Sequence, residues 1–77
     1  MQQPNPGVLV YMVKTKMPFG RYAERLLCDL PVSYLEWFQR KGFPEGKLGE
    51  ALQTVLVIKS NGLEEIIREL KKRYGGV

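Results

Sequence analysis

The sequence predicts one small α+β domain: a short N-terminal β-hairpin, with an extra strand or extended arm ahead of it, packed on a three-helix bundle. Three observations carry this expectation. The apolar, partly β-branched run at residues 8–13 leads into a stretch broken by Pro18 and Gly20, which no long helix can cross. From Leu30 onward, apolar residues recur at three- and four-residue spacing in three stretches, separated by Gly42 and by Asn61-Gly62. A chain of 77 residues buries only about 60% of the surface it exposes when unfolded, which is enough for one core and not two.

The elements follow in order. Residues 1–7 contain two Gln, one Asn and two Pro and read as a flexible arm, leaving residues 8–77 as the domain. Residues 8–13 read as a first strand or an arm laid on the core. Residues 16–27 suit a small hairpin or structured loop, with Met17, Phe19, Leu26 and Leu27 turned inward. A helix start lies next. Pro31 suits a first turn, Ser33 with Glu36 fits a capping box, and Asp29 is a competing cap that would shift the start by a turn. That helix runs to Lys41 and stops at Gly42, with Leu30, Tyr34, Leu35 and Phe38 as its stripe. Residues 43–46 form a loop. The second helix, 47–60, carries Leu48, Ala51, Leu52, Val55, Leu56 and Ile58 and is expected at the centre. Asn61-Gly62 ends it, and Asn61 can also cap the third helix, with Glu64 three residues on. There Leu63, Ile66, Ile67, Leu70 and Tyr74 make the stripe, and Gly75-Gly76 closes it. Glu64 and Glu65 at its start and Lys71, Lys72 and Arg73 at its end complement the helix dipole.

Composition removes whole classes of chemistry. The chain has no histidine, so the commonest general base and a common metal ligand are missing. With Cys28 as the lone cysteine, zinc sites, Cys–His dyads and Ser–His–Asp triads cannot be built. No catalytic residue, metal or cofactor is expected, and the chain does not read as an enzyme. Cys28 stands beside Asp29, whose carboxylate disfavours a thiolate, so it reads as a small buried hydrophobe. A lone cysteine also fits a reducing, cytoplasmic setting. No run approaches the roughly 20 apolar residues of a membrane span, and residues 8–13 lack the flanks of a signal peptide. No membrane contact is expected. The segment Gly42 to Lys47 reads G-x-x-x-G-K followed by Leu, which is not the phosphate-binding loop of nucleotide hydrolases.

The net charge of +4 permits a nucleic-acid partner without requiring one. Lys14, Lys16, Arg21 and Arg25 stand against one Glu24 between residues 12 and 25, with Phe19 and Tyr22 interleaved. Held on one hairpin face, the cations would meet phosphates and a ring an unpaired base. The blander reading is a solvated turn. Arg40, Lys41 and Lys47 flank the central loop, and Lys41 and Lys47 extend the candidate set, Lys47 near a helix N-terminus that favours anions. Trp37 lies one residue off the apolar stripe and, with Phe43 or Tyr74, is a candidate anchor for a protein partner, or else packed core. The last helix pairs Glu64 with Arg68, Glu65 with Arg68 and Glu69 with Arg73 at stabilising spacing, so its charges read as a solvated face. The chain is therefore expected to be a small non-catalytic binding module that meets nucleic acid through the basic hairpin, or alternatively a regulatory protein–protein adaptor. A monomer or weak homodimer fits its size.

The motif Met17-Pro18-Phe19-Gly20-Arg21-Tyr22, followed by Leu27, Asp29-Leu30-Pro31, Ser33-Tyr34-Leu35 and Trp37-Phe38, resembles a family of short bacterial proteins of unknown function described as quorum-sensing-regulated virulence factors. The likeness continues through residues 40–49 and Ile58-Lys59-Ser60-Asn61-Gly62-Leu63, covering about residues 14 to 63. The first half is also similar to a module at the C-terminal end of some exonuclease X-like proteins, which shares a Pro-Phe-Gly-Lys turn, a short strand and a Tyr-Leu-x-Trp helix. This sequence departs from the family at Ala23-Glu24, where Lys-Gly is usual. The resemblance implies a common fold and a link to virulence. The nuclease likeness supports the nucleic-acid reading by analogy alone.

Overall fold

The computed structural model describes residues 6–74. Four helices follow one another: α1 (Pro6–Lys14), α2 (Val32–Lys41), α3 (Gly46–Ser60) and α4 (Glu64–Tyr74), with a 3-10 turn at Leu27–Asp29 ahead of α2. Helix α3 is central. It packs on α1, α2 and the 3-10 turn, while α4 lies chiefly against α1. The core is wholly apolar: Met12, Val13, Met17, Leu27, Leu30, Leu35, Leu52 and Val55 are fully buried, and among the described residues no polar or charged residue is.

The expected α+β class is overturned, because among the described residues there are four α-helices and no strand. Residues 8–13, expected as a strand or arm, lie inside α1. A β-branched apolar run is compatible with either state, and local periodicity does not separate them. Helix wins because the core offers no sheet. An unpaired strand would leave its backbone groups without partners, whereas a helix satisfies them internally. As a helix the segment buries Val8 and Met12 one turn apart, with Val13 beside them. Of the expected arm, residues 1–5 lie outside the described residues. Pro6 and Gly7 belong to α1, proline standing where a missing N–H costs least.

The expected hairpin is a pinched loop. One isolated bridge, Lys16 with Leu26, stands where a ladder would be. Three backbone hydrogen bonds close the neck: Leu27 N–H to Thr15 O at 3.0 Å, Met17 N–H to Arg25 O at 2.7 Å and Glu24 N–H to Met17 O at 2.8 Å. Beyond it Pro18 donates nothing and the chain turns through residues 20–24, so pairing stops. Met17 and Leu27 are buried as expected and Leu26 is half-buried, but Phe19 is exposed.

The loop carries a correctable strain. Glu24 has φ +76°, in the left-handed region where a Cβ is disfavoured. Its ion pair with Lys16, at 4.0 Å between well-exposed side chains, offsets little of that. Glu24→Gly is expected to stabilise the domain by about 0.5–1 kcal/mol. Thermal unfolding checks this: the midpoint should rise by about 2–8 °C, and a fall would mean that the conformation at residue 24 is not strained.

Helix boundaries after residue 30 match the spacing, while the caps differ. Pro31 caps α2 through its carbonyl, which accepts from Tyr34 and Leu35 N–H at 3.1 and 3.2 Å, and no side chain caps that end. Asp29, expected as a competing cap, instead receives Lys71 Nζ at 2.9 and 3.2 Å, tying the 3-10 turn to α4. Helix α2 ends as expected at Gly42, whose N–H reaches Phe38 O. Asn61 turns its side-chain amide back to Val57 O at 2.7 Å and so serves α3 rather than α4. Gly75-Gly76 lie outside the described residues. In α4 the Glu65–Arg68 pair closes at 3.5 Å. Helix α3 begins with its backbone pressed on the preceding turn: a Cβ at Gly49 would lie 1.6 Å from the Pro44 carbonyl oxygen.

Candidate functional site

The loop and α2 together form a cleft of about 520 Å³, lined by Phe19, Gly20, Arg21 and Tyr22 from the loop and by Ser33, Tyr34, Trp37, Phe38 and Arg40 from α2. Ser33, Trp37 and Arg40 stand at i, i+4 and i+7 and therefore share one helix face. Tyr34 and Phe38 lie one step round, toward the core, and Phe38 is buried. Trp37, at 42% exposure, and Phe19, at 46%, present ring surface to solvent.

The rings are mutually braced. Tyr34 meets Tyr22 at 4.6 Å between centroids and lies parallel to Trp37 at 6.2 Å. Phe38 takes both Tyr34 and Trp37 edge-on at 5.1 Å and Phe19 at 6.5 Å. Such pairs hold each ring in one orientation. Gly20, at φ +83°, matters here as well. A Cβ on it would come within 3.0 Å of the Tyr34 hydroxyl, so glycine lets the loop lie down on that ring. Burial, and then the neighbouring Tyr22, raise the Tyr34 hydroxyl above the ordinary tyrosine range, so it stays a neutral donor.

The charge in the cleft is of one sign. Arg21 and Arg40 line it and no carboxylate does. Among the described residues neither guanidinium enters an ion pair. Arg21 and Arg25 flank the Tyr22 ring at 5.8 and 5.7 Å, a cation–π arrangement that positions both heads. Braced π-faces beside unpaired guanidinium groups suit a ligand that is planar in one part and anionic in another.

Of the residues singled out from the sequence, Arg21, Tyr22 and Trp37 meet in this cleft, and Arg25 stands just behind Tyr22. The others do not converge there. Lys14 is exposed at the end of α1 and Lys41 at the end of α2. Lys16 faces Glu24. Lys47 lies over the Tyr11 ring at 5.3 Å. Phe43 is half-buried and stacks on Phe38 at 6.4 Å, so it braces the cluster from behind. The sequence places Arg40 beside the central loop, Tyr34 on the core stripe of α2 and Phe19 either inward or among the loop cations, and the cleft draws all three together. The shared face of Ser33, Trp37 and Arg40 was the available signal for Arg40.

Cys28 is buried and its thiol is pushed up to about 11, by burial first and then by Asp29, so it is held protonated at neutral pH. Among the described residues no group of three or more His, Cys, Asp and Glu side chains could hold a metal ion, and no helix is long and apolar enough to cross a membrane.

Comparison with known proteins agrees with the motif of the loop and α2. The chain is 51% identical over 65 residues to the uncharacterized protein YpeB of Escherichia coli strain K12, covering 83% of this chain and 90% of that protein, and it matches YpeB of Escherichia coli O157:H7 to the same extent. No solved structure matches. These matches do not bear on the exonuclease X-like pattern. A family model described as "Putative quorum-sensing-regulated virulence factor" spans residues 5–70, which takes in the pinched loop, every cleft residue and the first three helices, and the chain belongs to that family.

Proposed function

We propose that the protein is a non-catalytic module that holds single-stranded nucleic acid in the cleft between the loop and α2. The observation that carries this reading is the convergence of five aromatic side chains with Arg21 and Arg40 and no carboxylate. Trp37 and Phe19 would take unpaired bases on their exposed faces, and Arg21 and Arg40 the phosphates on either side. A duplex keeps its bases stacked and cannot offer them to a concave site, so single strands are the better match. The absence of histidine and the buried, protonated thiol support a binding role over a catalytic one.

Fluorescence anisotropy with labelled single-stranded and duplex oligonucleotides, titrated across salt, tests this. Trp37→Ala should weaken single-strand binding by about tenfold or more, the worth of one lost base stack. Arg21→Ala with Arg40→Ala should flatten the slope of log affinity against log salt by about 0.7 per lost phosphate contact. Absence of binding at about 50 mM salt, where phosphate contacts are strong, would sink the reading. The exposure of Trp37 and Phe19 also favours a second reading, a regulatory adaptor that uses the same rings to anchor a protein. That reading predicts a partner whose binding depends on Trp37 while oligonucleotides fail to compete.

A further inference from the structure

The outer face of α4 lies apart from the cleft and has its own pattern. Within this helix only Ile67 is buried. Ile66 is 41% exposed and Tyr74 40%, with Leu70 half-buried between them, so a ridge at i, i+4 and i+8 is left largely uncovered. A second ridge, Glu65, Glu69 and Arg73, runs alongside, and the groove between them is lined by these six residues. An 11-residue helix is marginal in water and depends on burying its apolar face. A groove between two i±4 ridges is the shape that receives such a ridge from another helix.

We propose that this groove receives α4 of a second copy of the chain, the two helices crossing antiparallel about a twofold axis near Leu70. The charges choose both the occupant and the direction. Read along the helix, the second ridge is negative, negative, positive. In an antiparallel pair, Glu65 of each copy meets Arg73 of the other, and only Glu69 faces its own counterpart. In a parallel pair all three positions meet like charges. Two carboxylates lining the groove turn away nucleic acid and anionic lipid. A twofold, self-complementary contact is the usual form of a homodimer. The central Glu69 pair keeps it weak.

Sedimentation equilibrium of the full chain, from about 10 μM to 1 mM, tests the proposal, since a weak dimer is populated by mass action. Wild type should show a concentration-dependent monomer–dimer equilibrium. Ile66→Lys, at an exposed position, should leave circular dichroism unchanged and the protein monomeric. Arg73→Glu should weaken the dimer by about tenfold or more, because two attractions become two repulsions. Adding Glu65→Arg to Arg73→Glu swaps the charges and should restore it. A wild type that stays monomeric throughout, a dimer that survives Ile66→Lys, or a swap that fails to restore while the helix remains intact would each overturn the proposal. Oligonucleotide binding by Ile66→Lys should equal that of wild type, so this surface and the cleft stand or fall separately.

Discussion

Gly49→Ala should cost the domain about 3 kcal/mol or more, at the upper end of what overpacking does. The substitution adds one methyl group to a helix, which in open surroundings would gain about 1 kcal/mol of helix propensity. Here the added carbon would sit 1.6 Å from the carbonyl oxygen of Pro44 and 2.8 Å from its carbonyl carbon. Both are backbone atoms, and Pro44 is rigid in φ, so no side-chain rotation relieves the overlap. Either the turn between α2 and α3 moves away or α3 does. Since α3 carries six of the buried residues, Gly49, Ala51, Leu52, Val55, Leu56 and Ile58, moving it loosens the whole core. Urea unfolding at one temperature checks this, and an alanine variant as stable as wild type would show that the turn does not press on the helix.

Met12→Ala should destabilise by about 2–5 kcal/mol, the range for truncating a long buried side chain. Met12 is fully buried on α1, in the same cluster as Leu27, Leu52 and Val55. For a domain of this size total stability is about 4–12 kcal/mol, so the loss is a large fraction and the thermal midpoint should drop by about 10 °C or more. Lys14→Ala, on the exposed end of the same helix, should change little. The comparison separates a core helix from an arm laid loosely on the surface. A Met12→Ala variant within about 0.5 kcal/mol of wild type, the range of surface substitutions, would place residues 8–13 outside the core.

The candidate site was half legible. Arg21, Tyr22 and Trp37 were distinguishable in the sequence because charged and aromatic residues interleave in a broken segment, and because Trp37 falls off its helix stripe. Lys14, Lys16, Lys41 and Lys47 look equivalent by charge, yet each goes elsewhere: two to exposed helix ends, one to Glu24 and one to the Tyr11 ring. Net charge counts cations without saying which way a loop faces. Phe19 was expected inward as one of the apolar set of the 16–27 segment, with Met17, Leu26 and Leu27. The cleft uses it instead as a wall, since Phe38 already fills the space beneath.

The sequence by itself determined the last three helices, the stop at Gly42 and the exclusion of histidine chemistry. Spacing of 3.6 residues, terminal glycine and residue type are local quantities and need no knowledge of neighbours. The tertiary structure alone decided that residues 8–13 are a helix, that residues 16–27 close as a pinched loop, and that Asp29 holds Lys71 rather than capping α2. In each case the local signal was degenerate. A β-branched run is content as strand or helix, and an aspartate near a helix start can cap it or pair with a lysine. The degeneracy was lifted by which partner the core supplied: helices but no sheet edge for α1, and an ammonium 42 residues away in sequence for Asp29.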